Sequence, residues 1–179
     1  MQLSISIDRT GPYGLSIHIP DLAELTASDA PQPASQLPSS RYRLLDASGQ
    51  PTSETPVLVH DTTTGLIWTA ADSITSDRVN HAAATEAATA LRYMGADDWR
   101  LPTMRELLSI VDYDHHEPAI DAAAFRCHSS PYWSSSLFAG DSDLAWFVLF
   151  HNGNASIYYR GDVNAFVRAV RGPVRAASQ

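Results

Sequence analysis

The sequence predicts an α+β domain, and three observations carry that prediction. Short apolar runs with strand character recur early, at Arg41–Leu45 and Val57–His60. Two stretches then shift to helical spacing, about Val79–Met94 and Met104–Val111. After Tyr132 the chain returns to short strand-like runs around an Asn-Gly pair. Strands on either side of two helices read as helices packed on small antiparallel sheets.

The elements follow in order. Leu3–Ile7 and Leu15–Ile19 alternate apolar and polar residues, with Gly11-Pro12-Tyr13-Gly14 between them, and read as a hairpin. Ala27–Ser40 is rich in Pro, Ser, Ala and Gln and reads as a linker. Residues 1–40 are therefore expected to form an N-terminal hairpin and linker packed on a main domain of residues 41–179. In that domain Arg41–Leu45 and Val57–His60 flank the turn Asp46–Pro51, and Ile67–Trp68 starts another strand. The first helix places Val79, Ala82, Ala83, Ala87, Ala90, Leu91 and Met94 near one stripe, with Ser76 and Asp77 as expected caps. Its small side chains imply close approach to a sheet.

The second helix has a sharper start. Pro102 biases Leu101 away from helix, and Thr103 with Glu106 fits a capping box. Leu107, Leu108 and Val111 then share a face. Trp99, just upstream, is a large anchor whose indole N–H needs a partner. Asp112–Pro118 reads as a polar loop. Beyond Tyr132 the expected strands are Ala145–Phe150, Ser156–Tyr159 and Phe166–Val170. The turn His151-Asn152-Gly153-Asn154 joins the first two.

Composition narrows the function. The 179 residues suffice for one domain with a real core. The net charge is −8, and every basic residue is Arg. An acidic chain with no basic cluster argues against nucleic-acid backbones and anionic membranes, which need a positive footprint. No apolar run approaches twenty residues, so no membrane span is expected. The N-terminus lacks the basic start and apolar core of a signal peptide. The single cysteine, Cys127, excludes an internal disulfide and fits a reducing compartment or a particle. Location stays open between the cytoplasm and display on a particle or cell surface by another route.

The sequence offers the residues of several chemistries but not their patterns. Asp112, Asp114, His115, His116 and Glu117 match no standard zinc spacing, and adjacent histidines do not easily share one ion. Asp141 and Asp143 with Asn152 or Asn154 could offer oxygens to calcium, but no Glu-Pro-Asn type motif accompanies them. Cys127 beside His128 has nothing to orient the imidazole. Ser134-Ser135-Ser136 lacks a nucleophile elbow, and there is neither a phosphate loop nor a dinucleotide fingerprint. No enzyme, metal or cofactor is expected.

A family resemblance joins these parts. Asp61-Thr62-Thr63-Thr64-Gly65-Leu66-Ile67-Trp68, the Ala-rich helix, Asp98-Trp99-Arg100-Leu101-Pro102-Thr103 with Glu106-Leu107, Tyr132-Trp133-Ser134-Ser135, Ala145-Trp146 and Val167-Arg168-Ala169-Val170-Arg171 occur in order. The series resembles the Lcl C-terminal domain family over about Arg41–Gly172. The resemblance implies a C-type-lectin-like fold with Trp68, Trp99, Trp133 and Trp146 as frame residues. Many secreted lectins of that fold depend on disulfides, whereas a chain with one cysteine must be held by its core.

Some proteins of this family are variable proteins of diversity-generating retroelements, in which template adenines are mutagenised. Leu137–Phe166 holds no Lys, Glu, Gln or Met, and every residue but Trp146 can be reached from an Asn codon by changing adenines alone. Those residue types are sparse in the rest of the chain too, so this composition speaks only together with the flanking frame. The resemblance thus implies a variable binding region at about 137–166.

The residue types support a binding surface on physical grounds as well. Tyr and Phe give rigid contact area at low entropy cost, and Ser, Gly and Asn give adaptable hydrogen bonds. Expected anchors are Phe138, Phe147, His151, Tyr158 and Tyr159. Expected polar contacts are Asp141, Asp143, Asn152, Asn154, Asp162 and Asn164, with Arg160. Leu144, Leu149, Ser156, Ile157, Gly161, Val163 and Ala165 complete the candidate set. Alternation buries every second strand residue, so Phe147, Leu149 and Ile157 could equally be core. The expected ligand is a protein, with a glycan as the alternative. Other readings are a fixed-specificity adhesin-like domain or a structural part of a phage-like particle.

Overall fold

The computed structural model describes residues 6–8, 16–18 and 41–172. The chain divides into two units, Met1–Ser39 and Ser40–Gln179. In the first, β1 (Ser6–Asp8) and β2 (Ser16–His18) pair antiparallel with Ile7 opposite Ile17. The expected turn at Gly11–Gly14 and the linker Ala27–Ser40 lie outside the described residues.

The second unit is α+β, with two antiparallel sheets and two α-helices. One sheet has four strands in the order β3 (Tyr42–Leu45), β4 (Leu58–Asp61), β5 (Ile67–Thr69) and β9 (Val170–Arg171). The other has three, with β7 (Asp141–Leu149) between β6 (Pro131–Phe138) and β8 (Asn154–Tyr159). The three-stranded sheet feeds two apolar clusters because its side chains alternate between faces. Tyr132 and Val148, paired across β6 and β7, enter a cluster with Trp68, Leu107, Ile110, Phe125 and Phe150. Their neighbours Trp133 and Phe147 enter a second, with Trp99, Leu101, Ala84, Ala88 and Val167.

Helix α2 (Met104–Ser109) starts at the predicted capping box. The Thr103 hydroxyl accepts from Glu106 N–H, and the Glu106 carboxylate accepts from Thr103 N–H at 2.7 Å. Arg100 grips the same carboxylate with two bonds of 2.8 Å, so the cap also ties the incoming chain to the helix. Leu107 is fully buried on the core face.

Helix α1 (His81–Thr89) is shorter than predicted. Its cap is Asn80, not Ser76 or Asp77, and the Asn80 side chain accepts from Ala83 N–H at 3.0 Å. Val79 is extended and bridges Ala165, which keeps it out of the helix. At the other end Met94 and Gly95 adopt left-handed backbone, at φ 59° and 65°, which no helix continues through. The buried stripe is His81, Ala84 and Ala88 rather than the predicted alanines. Two alanines and an imidazole let the helix lie close to the sheet.

Strand β6 is not among the expected strands, since its three consecutive serines show no apolar alternation. Each is anchored. Ser134 Oγ donates to Trp146 O at 2.7 Å, Ser135 N–H to Pro102 O at 2.7 Å, and Ser136 Oγ accepts from Met104 N–H at 3.0 Å. The pairing register shifts here, between Trp133 and Leu137, so the serines span a bulge and carry the strand past it. The expected strand Phe166–Val170 is mostly irregular. Only Val170–Arg171 joins a sheet, while Ala165 and Phe166 make single bridges to Val79 and Tyr132.

Two buried charged groups fasten these layers. Arg168 is wholly buried and faces carbonyls rather than a carboxylate: Nη1 donates to Thr69 O and Nη2 to Arg126 O, each at 2.6 Å. Its guanidinium also lies 5.1 Å from the Phe125 ring and 5.6 Å from the Tyr132 ring. Asp61, also fully buried, receives two bonds from Arg41, at 3.0 and 2.6 Å, and one from the Thr64 hydroxyl at 2.9 Å. Among the described residues no helix is long and apolar enough to cross a membrane.

Arg168→Met fills similar volume but leaves two carbonyls without their donors. It is expected to cost about 3 kcal/mol, at ~1–3 kcal/mol for each unsatisfied group. Denaturant unfolding checks this, and a loss below about 1 kcal/mol contradicts it. Acid gives a second check. Burial alone would raise the Asp61 carboxyl, but hydrogen bonds from Arg41, Thr64 and Thr63 hold it below the usual range. Glu106 behaves alike: burial raises it, but its bonds from Arg100 and Thr103 bring it down. Both groups bind protons more readily when unfolded. Their stabilisation is present above the unfolded carboxylate pKa, about 4, and is lost as pH falls through the lower folded values. Asp61→Asn is expected to flatten that acid limb of a stability-against-pH curve.

Candidate functional site

The free end of the three-stranded sheet carries most of the candidate residues. It comprises the β6–β7 hairpin tip, the end of β8, and the loop 160–164 that runs past the start of α1. Alternation distributes the side chains here. On one face Trp146 stands opposite Ile157 and Leu144 opposite Tyr159, and the Phe138 ring meets Trp146 edge-on at 6.2 Å. None of these five belongs to either apolar cluster. On the other face Leu137 and Tyr158 both pair with the buried Ala145, and the Tyr158 ring lies 5.9 Å from Phe147. Tyr158 and Tyr159 are 51% and 53% exposed and Leu137 44%, large values for apolar side chains of a sheet.

A cleft of about 470 Å³ adjoins this end, lined by Asn80, His81, Ala82, Asp143, Tyr159, Arg160, Gly161 and Asp162. Asp162 also borders a second depression of about 500 Å³ with Asp77, Arg78, Val163 and Asn164. The walls are set by backbone bonds. Arg160 N–H donates to Asp143 O at 2.9 Å, and His81 N–H donates to Arg160 O at 3.2 Å. The start of α1 is thereby pinned to the end of β8. Arg160 and Asp143 also form a loose ion pair at 3.7 Å.

His81 anchors the cleft floor. Its Nε2 lies 2.9 Å from Ser134 O, and a carbonyl can only accept, so the proton sits on Nε2. The ring meets Trp133 edge-on at 5.4 Å, and Trp133 Nε1 donates to Val79 O at 2.8 Å. Burial pushes the imidazole pKa down, the Ser134 carbonyl opposes that, and the nearby Arg160 adds to the lowering.

Several predicted site residues lie elsewhere. Phe147 is 6% exposed and Ala165 1%, and both are core, so they are corrected from the candidate surface. Inward alternation of β7 accounts for Phe147, and the bridge to Val79 for Ala165. Leu149 and Val163 pack partly against the same cluster. His151, Asn152 and Asn154 are exposed but sit at the β7–β8 turn, the opposite end of the sheet. Five residues of extended strand separate them from the cleft end, about 17 Å at ~3.3 Å per residue. There His151 lies 3.5 Å from Glu117. Exposed or half-buried at the cleft end are Phe138, Asp141, Asp143, Leu144, Ile157, Tyr158, Tyr159, Gly161, Asp162 and Asn164, with Ser156 exposed midway along β8.

The resemblance makes Trp146 a frame residue, but it is half-buried and belongs with the apolar residues of the sheet end instead. The strand period held the signal, since Ala145 and Phe147 point inward on either side of it. Asn80 and His81 were missed because nothing local links a helix start to a distant sheet end.

The other weighed chemistries are also placed. Cys127 Sγ faces the backbone of His128 at 3.4 Å rather than its ring, and burial pushes the thiol pKa up. His128 stacks on Phe166 at 4.1 Å and approaches Asp72 at 3.5 Å. His115 pairs with Asp112 at 2.9 Å. Among the described residues no three His, Cys, Asp or Glu side chains gather as a metal site would require.

The fold and site therefore define an α+β domain with a half-apolar sheet end beside a polar cleft. Residues 57–171 match the family model of the Lcl C-terminal domain, and the chain belongs to that family. No curated protein matches the chain.

The protonation state of His81 is open to measurement. Its folded pKa lies below the unfolded value of about 6.5, so its stabilisation is full above that pH and is lost as pH falls through the folded value. An NMR titration is expected to show one imidazole titrating below about 6.5, its signal missing from His81→Gln. A His81 titration at or above about 6.5 would contradict the assignment.

Proposed function

We propose that this domain is a ligand-binding module of C-type-lectin-like fold. Its binding face is the free end of the three-stranded sheet with the adjoining cleft, and that face is diversified by a retroelement. One observation carries the binding reading. Phe138, Leu144, Trp146, Ile157 and Tyr159 form an apolar group, half-buried or exposed, that neither core cluster takes up, and Asp141, Asp143, Asp162 and Asn164 are exposed at the same end of the sheet. Aromatic anchors inside a polar rim are the usual anatomy of a recognition surface. The frame beneath is rigid, so binding orders little and wastes little free energy. The family supports a lectin-like binding role, and a protein is the ligand that the aromatic content favours.

The diversified reading rests on the residue set of segment 137–166 and its flanking frame. The domain works by binding rather than catalysis on this reading, which the raised thiol pKa of Cys127 supports, since thiolate is the reactive form.

Sequencing the DNA beside the gene tests diversification. The expected result is a near-copy of the segment encoding about Leu137–Arg171, differing only at adenines, next to a reverse transcriptase gene. Its template Asn codons should fall at Leu144, Ile157, Tyr158, Tyr159 and Asp162 and spare Phe147 and Ala165. Absence of such a copy leaves a fixed-specificity binding domain, whose ligand protein and glycan arrays would then seek.

A further inference from the structure

Strand β8 is an edge, and its outer side is unprotected. Among the described residues, the sheet order places β7 on one side of it and no strand on the other. The bond from Arg160 N–H to Asp143 O sets the alternation of the ladder. Tyr158 and Ser156, opposite Ala145 and Phe147, turn their backbone groups toward β7. Ala155, Ile157 and Tyr159 therefore turn theirs outward. No hydrogen bond from these three outward groups to any other part of the protein exists among the described residues.

Proteins guard such edges with Lys, Pro, bulges or a covering element. The residues of β8, Asn-Ala-Ser-Ile-Tyr-Tyr, include no charge and no proline, and the register with β7 runs without a bulge. The opposite edge of the sheet is guarded. In β6, Trp133 N–H donates to Phe166 O at 3.1 Å and Ser135 N–H to Pro102 O at 2.7 Å.

We infer that an extended segment of the ligand protein docks on this face by adding as a fourth strand along β8. The inference rests on the proposed reading of this end as a binding face and names the chemistry of what binds. Outward donors and acceptors at Ala155, Ile157 and Tyr159 recur every two residues, the period at which an extended polypeptide presents its own. The added strand would lay alternate side chains beside Ile157 and Tyr159 on one face and beside Ser156 and Tyr158 on the other. Main-chain bonds supply affinity independent of sequence, and the flanking side chains supply selectivity. This division suits a face whose side chains change, because the backbone contribution survives every change. A second copy of this chain is the disfavoured occupant, since each copy carries a net charge of −8 and self-pairing adds like charges.

Random linear peptides displayed on phage and selected on the immobilised full chain are the probe. Ile157→Pro removes an outward N–H without touching the ladder to β7, as proline is tolerated on the free side of an edge strand. The expected result is peptides that lose about tenfold or more in affinity to this variant. The same peptides, N-methylated one residue at a time, should lose affinity at alternate positions only. Should Ile157→Pro fail to fold by circular dichroism, the methylation pattern decides. Peptides sensitive to Trp146→Ala or Tyr159→Ser but indifferent to both backbone tests overturn strand addition and leave the binding face standing. Peptides indifferent to every substitution on the face, or no peptides at all, count against both. Concentration-dependent dimers in sedimentation, lost in Ile157→Pro, would overturn the inference in favour of self-pairing.

Discussion

A guanidinium without a counter-ion holds this domain together. Arg168 lies where β5, the segment entering β6 and the approach to β9 converge, and it bonds to a carbonyl from each of the first two. Carbonyl oxygens are weak partners for a full charge, and desolvating a cation costs several kcal/mol. The Phe125 and Tyr132 rings lend their electron-rich faces to offset that cost. Two elements far apart in sequence must therefore be in place before the charge is tolerated. The geometry is self-checking, because a misplaced β5 or a loose Arg126 loop would leave a bare cation in an apolar interior.

With that anchor in place, the remaining fastenings become local. Tyr132 stands against Arg168, accepts from His128 N–H at 2.9 Å, and donates to Asp72 O. Its neighbour Trp133 binds Val79 O and so sets where α1 can begin. Two adjacent residues of one strand thus reach both apolar clusters and both helical layers. The exposed sheet end continues from β7, whose Ala145, Phe147 and Val148 are core on its two faces. The serine bulge does further work by stepping the pairing register just before the hairpin tip.

Much of the frame was legible from the chain. The capping box at Thr103 and Glu106, the early strands and the Asn-Gly turn all follow from short-range rules, and the structure has them. Errors arose where tertiary contacts overrode local preference. Val79 looks helical by spacing but is claimed by Ala165, 86 residues away, through a bridge that no local rule can see. Three serines without apolar alternation still extend a strand because they find partners on Trp146, Pro102 and Met104. At the site, residue type singled out Tyr158 and Tyr159, and the exposures agree. Period sets Phe147 and Trp146 on opposite faces of β7, and where α1 and α2 pack decides which of those faces is covered at this end.

The turn at Gly153 sets a limit on variation. Its backbone is left-handed, at φ 79°, and a Cβ there would meet Val111 Cγ1 at 2.6 Å and the Tyr113 ring at 2.8 Å. A chain altered at 153 would carry a strained turn and would have to push the Val111 and Tyr113 side chains aside, whatever it might have recognised. At the other end of the strand pair, a Cβ on Gly161 would meet open space. One strand pair thus joins a fixed terminus to a permissive one, and the strand length between them insulates the fold from whatever the permissive end becomes.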